Sequence, residues 1–224
     1  MRIARTIALL GAAVGVLLPT GALAGNLRFN GLTRRLCSPD AIDFESFSAG
    51  DIVGNLGNGA TVQARKRTSK KTEKTIPGVA MIFDSSSPTG GDFDLGSPHQ
   101  AFGGPGIGKF GKVGPFKNTQ AHGNVLIISE DGSSTEPNDN RRGGTLEFQF
   151  DPPVGIESVG LLDNEEGATF EIQTSSGSNS TLTAATGGNG SFMRLNISTP
   201  SVAKLIVDLK GSAAITDIQI ECTL

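Results

Sequence analysis

The chain has 224 residues, with 19 Lys and Arg against 22 Asp and Glu and a formal net charge of −3. This slight acidity argues against nucleic acid as the main partner, because nucleic-acid-binding surfaces are strongly basic. Two cysteines are too few for a disulfide-rich scaffold or a four-cysteine zinc site, and the 31 glycines show no collagen-like period.

The first 24 residues have the pattern of a secretory signal peptide. Arg2 and Arg5 precede an apolar run from Ile7 to Leu18, and Ala22 and Ala24 supply the small residues of a cleavage site. The apolar run is shorter than the about 20 residues that a membrane-spanning helix needs. We therefore predict a secreted or cell-surface protein with no membrane span after cleavage, divided into a signal peptide (1–24), a lead-in segment (25–40) and one domain (41–224).

Short apolar segments follow at intervals of about ten residues, bounded by Gly, Pro, Asn, Asp and Ser, which is typical of an all-β sandwich. Several alternate, as in Thr145–Phe150, where Leu and Phe face one way and polar residues the other. We expect strands at Ala41–Phe47, Ala60–Ala64, Ala80–Asp84, Asn124–Ser129, Gly143–Phe150, Ile156–Asp163, Thr169–Thr174, Phe192–Ile197, Ala203–Lys210 and Ala214–Glu221.

The two cysteines lie near the two ends of the domain. In an oxidising compartment Cys37 and Cys222 are expected to form a disulfide, which requires Cα atoms within about 7 Å of each other. The first and last strands would then be neighbours, as in many jelly-roll sandwiches. The predicted fold is therefore a single all-β, two-sheet β-sandwich of the jelly-roll type, with its first and last strands adjacent and disulfide-linked. Two free thiols are the alternative.

Acidic side chains on the first and last strands form a candidate calcium site. Asp43 and Glu45 lie on one face of the first strand, and Asp217 points outward from the last. If these strands are adjacent, the carboxylates converge, and a hard cation with oxygen ligands would relieve their repulsion.

The segment Phe83–Leu95, which lies between these strands in the sequence and is rich in Pro, Gly and Asp, is a second source of calcium ligands. Its turns can aim carbonyl oxygens at a cation, although its spacing is not that of an EF-hand. The alternative is an Asx-turn loop in which Asp side chains bind backbone amides. The candidate ligands in this loop are Asp84, Asp92 and Asp94.

The segment Arg65–Lys74 has six basic residues in ten and makes a positive patch in an acidic protein. Such a patch could hold an acidic polysaccharide. The alternative is a solvated loop or an edge strand whose charges prevent aggregation. The candidate ligand-binding residues are Arg65, Lys66, Arg67, Lys70 and Lys71.

Several motifs resemble those of secreted, mostly uncharacterised β-sandwich domains of marine and aquatic microbes and algae. The motifs are Ile42–Glu45, Ala80–Ser85, Pro88–Leu95, Gly123–Glu130 and Ala214–Ile218. More distantly, the acidic first strand facing an Asp in the last is similar to jelly-roll carbohydrate-binding modules. That resemblance implies Glu45 and Asp217 as ligands of a structural calcium ion.

The function predicted from these features is a calcium-stabilised binding module of the cell surface or extracellular matrix. Its expected partner is a polysaccharide, which would be anionic if the basic run holds it, or a cell-surface component. A polysaccharide-active hydrolase or lyase is one alternative, although no catalytic motif marks its residues. A purely structural wall or adhesion protein is another. Sequons at Asn179, Asn189 and Asn196 are candidate glycosylation sites if the source is eukaryotic.

Overall fold

The computed structural model describes residues 41–98 and 116–221, which form antiparallel β-structure with a short 3-10 helix at Phe93–Leu95. The predicted all-β fold is confirmed. The strands are β1 (Ala41–Ile42), β2 (Asn55–Gly57), β3 (Ala60–Arg67), β4 (Thr75–Pro77), β5 (Val79–Asp84), β6 (Asn124–Ser129), β7 (Gly144–Leu162), β8 (Ala168–Thr174), β9 (Asn179–Ala184), β10 (Phe192–Leu209) and β11 (Ala214–Glu221).

Two long strands, β7 and β10, run through both layers of the sandwich. Their segments 144–149 and 204–209 pair with each other in the first layer, where β7 also pairs with β3, and β10 with β8. Their segments 156–162 and 192–199 pair in the second layer, where β7 also pairs with β11 and the order continues to β6 and β5. The hydrogen-bonded sheet is therefore continuous rather than divided into two separate sheets.

The main core lies between the two layers. Phe148 and Leu205 of the first layer belong to the same buried cluster as Leu126 and Ile215 of the second. A smaller cluster, which includes Phe83 and Leu95, covers the outer face of the second layer. Burial on both faces explains why β5 and β6 are continuously apolar, whereas strands of the first layer alternate.

The first and last strands are neighbours, as predicted. Ala41 pairs with Gln219 and Ile42 with Ile218. The first strand is shorter than the predicted Ala41–Phe47, because the backbone of Phe44 adopts a positive φ of 60° and a turn closes from Phe47 N–H to Phe44 O at 3.1 Å. Phe44 itself is buried. Cys37, Cys222 and the predicted signal peptide and lead-in segment lie outside the described residues, so the disulfide stays a prediction.

The structure differs from the predicted strands in two further ways. Gly143–Phe150 and Ile156–Asp163 were expected as separate strands but belong to β7, and Phe192–Ile197 and Ala203–Lys210 likewise belong to β10. Irregular pairing between Asn196 and Lys204 lets β10 bend without ending. Strands β2, β4 and β9 were missed because they are short or polar.

In the described ranges, no helix has the length and apolar character needed to cross a membrane.

Candidate functional site

A β-bulge in β11 turns two neighbouring polar side chains toward the same side of the sheet. Ile215 pairs with Leu161 and Asp217 with Gly160, so β11 has one residue, Thr216, more than β7 at this point. The bulge allows Ile215 and Ile218 both to enter the core although they are three residues apart. It leaves Thr216, Asp217 and then Gln219 available to line a surface pocket.

The carboxylate of Asp217 forms an ion pair with Arg194, and the two side chains meet over Gly160 of the strand between them. In register, Arg194 of β10 and Asp217 of β11 both pair with Gly160 of β7, and Arg194 Nη2 lies 2.7 Å from Asp217 Oδ1. A Cβ on Gly160 would lie 2.0 Å from Thr216 Oγ1 and 2.6 Å from Asp217 Oδ1. Gly160 therefore provides the space in which this polar group assembles.

Asp217 remains ionised because its hydrogen bonds outweigh its burial. Burial acts to raise the pKa of this carboxyl, but hydrogen bonds from Arg194, Gln219 and Thr216 bring the pKa below its ordinary value. Thr216 Oγ1 donates to Asp217 Oδ1 at 2.7 Å, and Gln219 Nε2 donates to Oδ2 at 2.5 Å.

The turn after β1 supplies two more carboxylates. Asp43 Oδ1 accepts the Glu45 backbone N–H at 3.2 Å, which fixes the turn. Glu45 Oε1 accepts the Asn124 N–H at 2.9 Å at the start of β6. The Glu45 carboxylate lies directly over Gly123, where a Cβ would come within 2.1 Å of Oε1 and where φ is +59°. A residue other than glycine at 123 would displace Glu45.

The next residue of the pocket, His122, is held by its ring and by its backbone. Its ring stacks on Phe192 with centroids 4.1 Å apart, and its N–H donates to Ser97 Oγ at 2.9 Å. Burial lowers the pKa of His122, although the negative charge of Asp217 acts to raise it. The ring is therefore neutral at pH 7. The buried Nε2 atom has no hydrogen-bond partner among the described residues.

These groups surround a polar pocket of about 370 Å³ beside the β1–β11 pair. The sequence predicted that Asp43, Glu45 and Asp217 converge there, and they do line one pocket. Each uses at least one oxygen on a bond to the protein, so the pocket is organised without a ligand. Its lining residues are Ala41, Asp43, Glu45, Ala121, His122, Gly123, Thr216, Asp217 and Gln219.

A second group of carboxylates, which we name the inner acid cluster, consists of Asp92, Asp94, Asp139 and Asp163. Asp92 Oδ2 accepts the Asp139 N–H at 2.6 Å, and Asp139 Oδ2 accepts the Ala213 N–H at 2.9 Å. Asp163 accepts the Ser212 hydroxyl at 2.9 Å. The cluster thus joins the loop before the 3-10 helix, the segment before β7, the end of β7 and the β10–β11 turn.

The charges in the inner acid cluster repel one another. Burial, reinforced by the neighbouring carboxylates, raises the pKa of Asp139 to about 8. Burial likewise raises the pKa of Asp92 to about 6 and that of Asp163 well above its ordinary value. The neighbouring charges that act on these three groups are all carboxylates.

The six predicted calcium ligands therefore lie in three settings. Asp43, Glu45 and Asp217 line the pocket, Asp92 and Asp94 belong to the inner acid cluster, and Asp84 Oδ1 accepts the Ser86 N–H at 2.8 Å in an Asx turn. Within residues 41–98 and 116–221, no three His, Cys, Asp or Glu side chains are arranged to hold a metal ion together.

The basic run is largely engaged with the protein. Arg67 is buried and pairs with Asp208 and Glu73, and Lys66 Nζ donates to the Glu130 carbonyl at 2.6 Å. Lys70 pairs with Glu166, Arg65 donates to Thr75, and Lys71 is exposed. The run is therefore the end of β3 and the following turn, and Arg67 contributes to the inside of the fold rather than to an outer patch.

The three sequons are on β9, the segment after it, and β10. Asn179 and Asn196 are exposed, and Asn189 is half-buried.

Sequence reasoning missed several residues of the two sites: Thr216, Gln219, Arg194, Asp139 and Asp163. Only the Ile215–Ile218 spacing, which breaks strand alternation, signals the bulge in the sequence.

No protein-family model matches the chain, and no curated protein matches it, so the resemblance to the microbial and algal β-sandwich group stays a prediction. Among solved structures, a fucose-binding module from Streptococcus pneumoniae is a distant neighbour. Its sequence identity is 10% and its TM-score 0.29, with 45% of this chain and 73% of that chain covered. A similarity at this level assigns neither a function nor a site.

Proposed function

We propose that the protein is a secreted β-sandwich module that binds polysaccharide at the cell surface or in the extracellular matrix, through the pocket beside the β1–β11 pair. The observation that carries the proposal is the prearranged set of polar groups in that pocket. Carboxylates, an amide, a hydroxyl and an imidazole are the groups that hydrogen-bond sugar hydroxyls. Since the protein already holds these side chains in place, a ligand loses little affinity to ordering them.

The charge of the pocket favours an uncharged sugar over an anionic one. Asp43, Glu45 and Asp217 line it, and Arg194, a cation beside it, is already paired with Asp217. A sugar hydroxyl can donate to a carboxylate, whereas a sulfate or uronate would be repelled by it. An anionic polysaccharide would instead need the exposed cations near Lys71.

Calcium is the second part of the proposal. The inner acid cluster offers several hard oxygen ligands close together, which is the property that favours calcium. In the arrangement observed, several of these oxygens accept backbone N–H groups, so an ion would require the carboxylates to turn and backbone or water oxygens to complete its shell. In the pocket, by comparison, both oxygens of Asp217 are engaged by donors.

A glycan array, at low and at high salt, tests the binding function. We expect binding of uncharged oligosaccharides that changes little with salt, because hydrogen bonds rather than long-range charge hold the ligand. Asp43→Asn should weaken this binding about tenfold, the effect of losing one charge-assisted hydrogen bond.

The matched control is Asp51→Asn, since Asp51 also accepts a nearby backbone N–H in an exposed turn but does not line the pocket. It should bind like the unmodified protein. The protein could instead bind only anionic glycans, lose them at high salt and be unaffected by Asp43→Asn. That result would show that the binding site is the basic run and not the pocket. No glycan bound by the intact protein would contradict the function itself.

A further inference from the structure

The strand β9 presents an open edge of the first layer. It pairs with β8 along six consecutive residues, from Ala168↔Ala184 to Gln173↔Asn179, without a register shift. No other described strand pairs with it. Asn179, Ser180, Thr181 and Thr183 are exposed. Half of the backbone N–H and C=O groups of such a strand point away from its partner and are free to bond another strand.

Other edges of the described sheet have features that oppose pairing. On β4, Pro77 removes a donor and the strand is three residues long. The free side of β5 is covered by the segment 50–53, with hydrogen bonds that include Val53 N–H to Ala80 O at 3.0 Å. The outer end of β10 carries Arg194, and Phe116 O accepts the Phe192 N–H there. In contrast, β9 has no proline, no bulge and no charged residue.

The edge of β9 is also compatible with a copy of itself. The continuous segment 174–186, from the end of β8 through the residues after β9, contains no Asp, Glu, Lys or Arg. Two identical edges that carried charge would bring like charges together, which destabilises cross-strand pairs. Two uncharged edges meet without that repulsion, and a two-fold axis makes their pairing antiparallel, as in the rest of the sheet.

We propose that β9 is a self-association surface, through which two copies of the chain pair β9 to β9 and join their first layers into one continuous antiparallel sheet. The contact is small, because one six-residue strand pair lies below the about 1,200 Å² of a standard stable interface. The dimer is therefore weak and forms at high local concentration, such as that of molecules crowded on a surface.

Sedimentation velocity over about a hundredfold range of protein concentration tests this association. The protein should be made in a bacterial host, so that Asn179 carries no glycan. We expect a shift from monomer to dimer as the concentration rises, together with slower hydrogen exchange of β9 amides at high concentration. Thr183→Lys should shift the association at least tenfold to higher concentration, because it places a cation on each of two facing edges.

Thr61→Lys is the matched control, since Thr61 is an exposed threonine on β3 of the same layer and is separated from β9 by β7, β10 and β8. It should associate like the unmodified chain. A protein that stays monomeric throughout, or that dimerises equally well with Thr183→Lys, overturns the proposal. Association without slower exchange in β9 overturns it as well, because the copies would then meet elsewhere.

Discussion

At the scale of single residues, the most unusual feature is a carboxyl group that the fold keeps from ionising. Asp139 is buried beside Asp92 and Asp94, and its pKa is about 8 against an ordinary 3.8. The folded protein therefore holds a proton more tightly than the unfolded chain between these two pH values. Its contribution to stability is greatest at low pH and is lost as the pH rises through about 8.

We expect the melting temperature in EDTA to fall between pH 5 and pH 8, and Asp139→Asn to reduce that fall, the remainder coming from Asp92 and Asp163, whose pKa values are also raised. The amide oxygen of Asn can still accept the Ala213 N–H, while the charge is gone. If calcium binds the inner acid cluster, adding it at pH 8 should restore the melting temperature of the unmodified protein and leave Asp139→Asn unaffected. At a calcium concentration 100 times the dissociation constant the gain is about 2.7 kcal/mol.

The control is Asp151→Asn, because Asp151 is exposed. Its melting curves should follow those of the unmodified protein at every pH. A melting temperature that is independent of pH would contradict the raised pKa, and one that is independent of calcium at pH 8 would contradict the metal part of the proposed function.

Only part of the two sites can be predicted from the sequence. Asp43, Glu45 and Asp217 could be brought together by reasoning, because pairing of the first and last strands is a strong constraint, although Asp43 and Glu45 reach the pocket from the turn after β1 and not from the predicted strand. Asp139 and Asp163 could not, since each lies beside an ordinary polar loop and contacts segments more than 40 residues away. Their importance comes from tertiary packing.

At the scale of elements, the end of β3 is fixed by one buried arginine. Arg67 reaches past the start of β7 to the end of β10, where it donates to the Leu209 carbonyl and pairs with Asp208. Gly143 leaves room at this point, where a Cβ would lie 2.0 Å from Leu209 O. The sequence predicted the end of this strand at Ala64, because a cluster of cations resembles a solvated turn unless the partners of Arg67 are known.

Arg67→Met should destabilise the protein by about 3 kcal/mol, because it removes the side-chain donor to the Leu209 carbonyl and one of the two cations that pair with Asp208, leaving only Lys210. Arg65→Met is the control, since Arg65 is exposed and its guanidinium donates to the side chain and the carbonyl of Thr75. It should change the stability by less than about 0.5 kcal/mol. Equal losses in the two variants, measured by urea unfolding, would show that Arg67 acts only as a surface charge.

At the scale of the whole molecule, β7 and β10 make the two layers depend on each other. Each strand contributes to the hydrogen bonds of both layers and to the core between them. The sequence predicted four strands here, since Pro152, Pro153 and Pro200 interrupt the alternation. Prolines usually end strands, but irregular pairing lets these two strands continue through the bend.

We expect the described domain to unfold in one cooperative transition, because neither layer can melt without removing strands from the other. Since the chain has no Trp or Tyr, calorimetry and far-UV circular dichroism are the suitable probes. The calorimetric and van't Hoff enthalpies should agree. Two separate transitions, or different midpoints for the two probes, would show that the layers unfold independently.

The neighbouring positions of β1 and β11 have a mechanical consequence. Because the domain is entered and left through two adjacent antiparallel strands, tension applied at Ala41 and Glu221 would peel β1 from β11 one hydrogen bond after another, instead of shearing many at once. Ala41 and Gln219 also line the pocket. Stretching the domain would therefore open this pocket first, and a glycan bound there, as proposed, would be released under load before the rest of the sandwich yields.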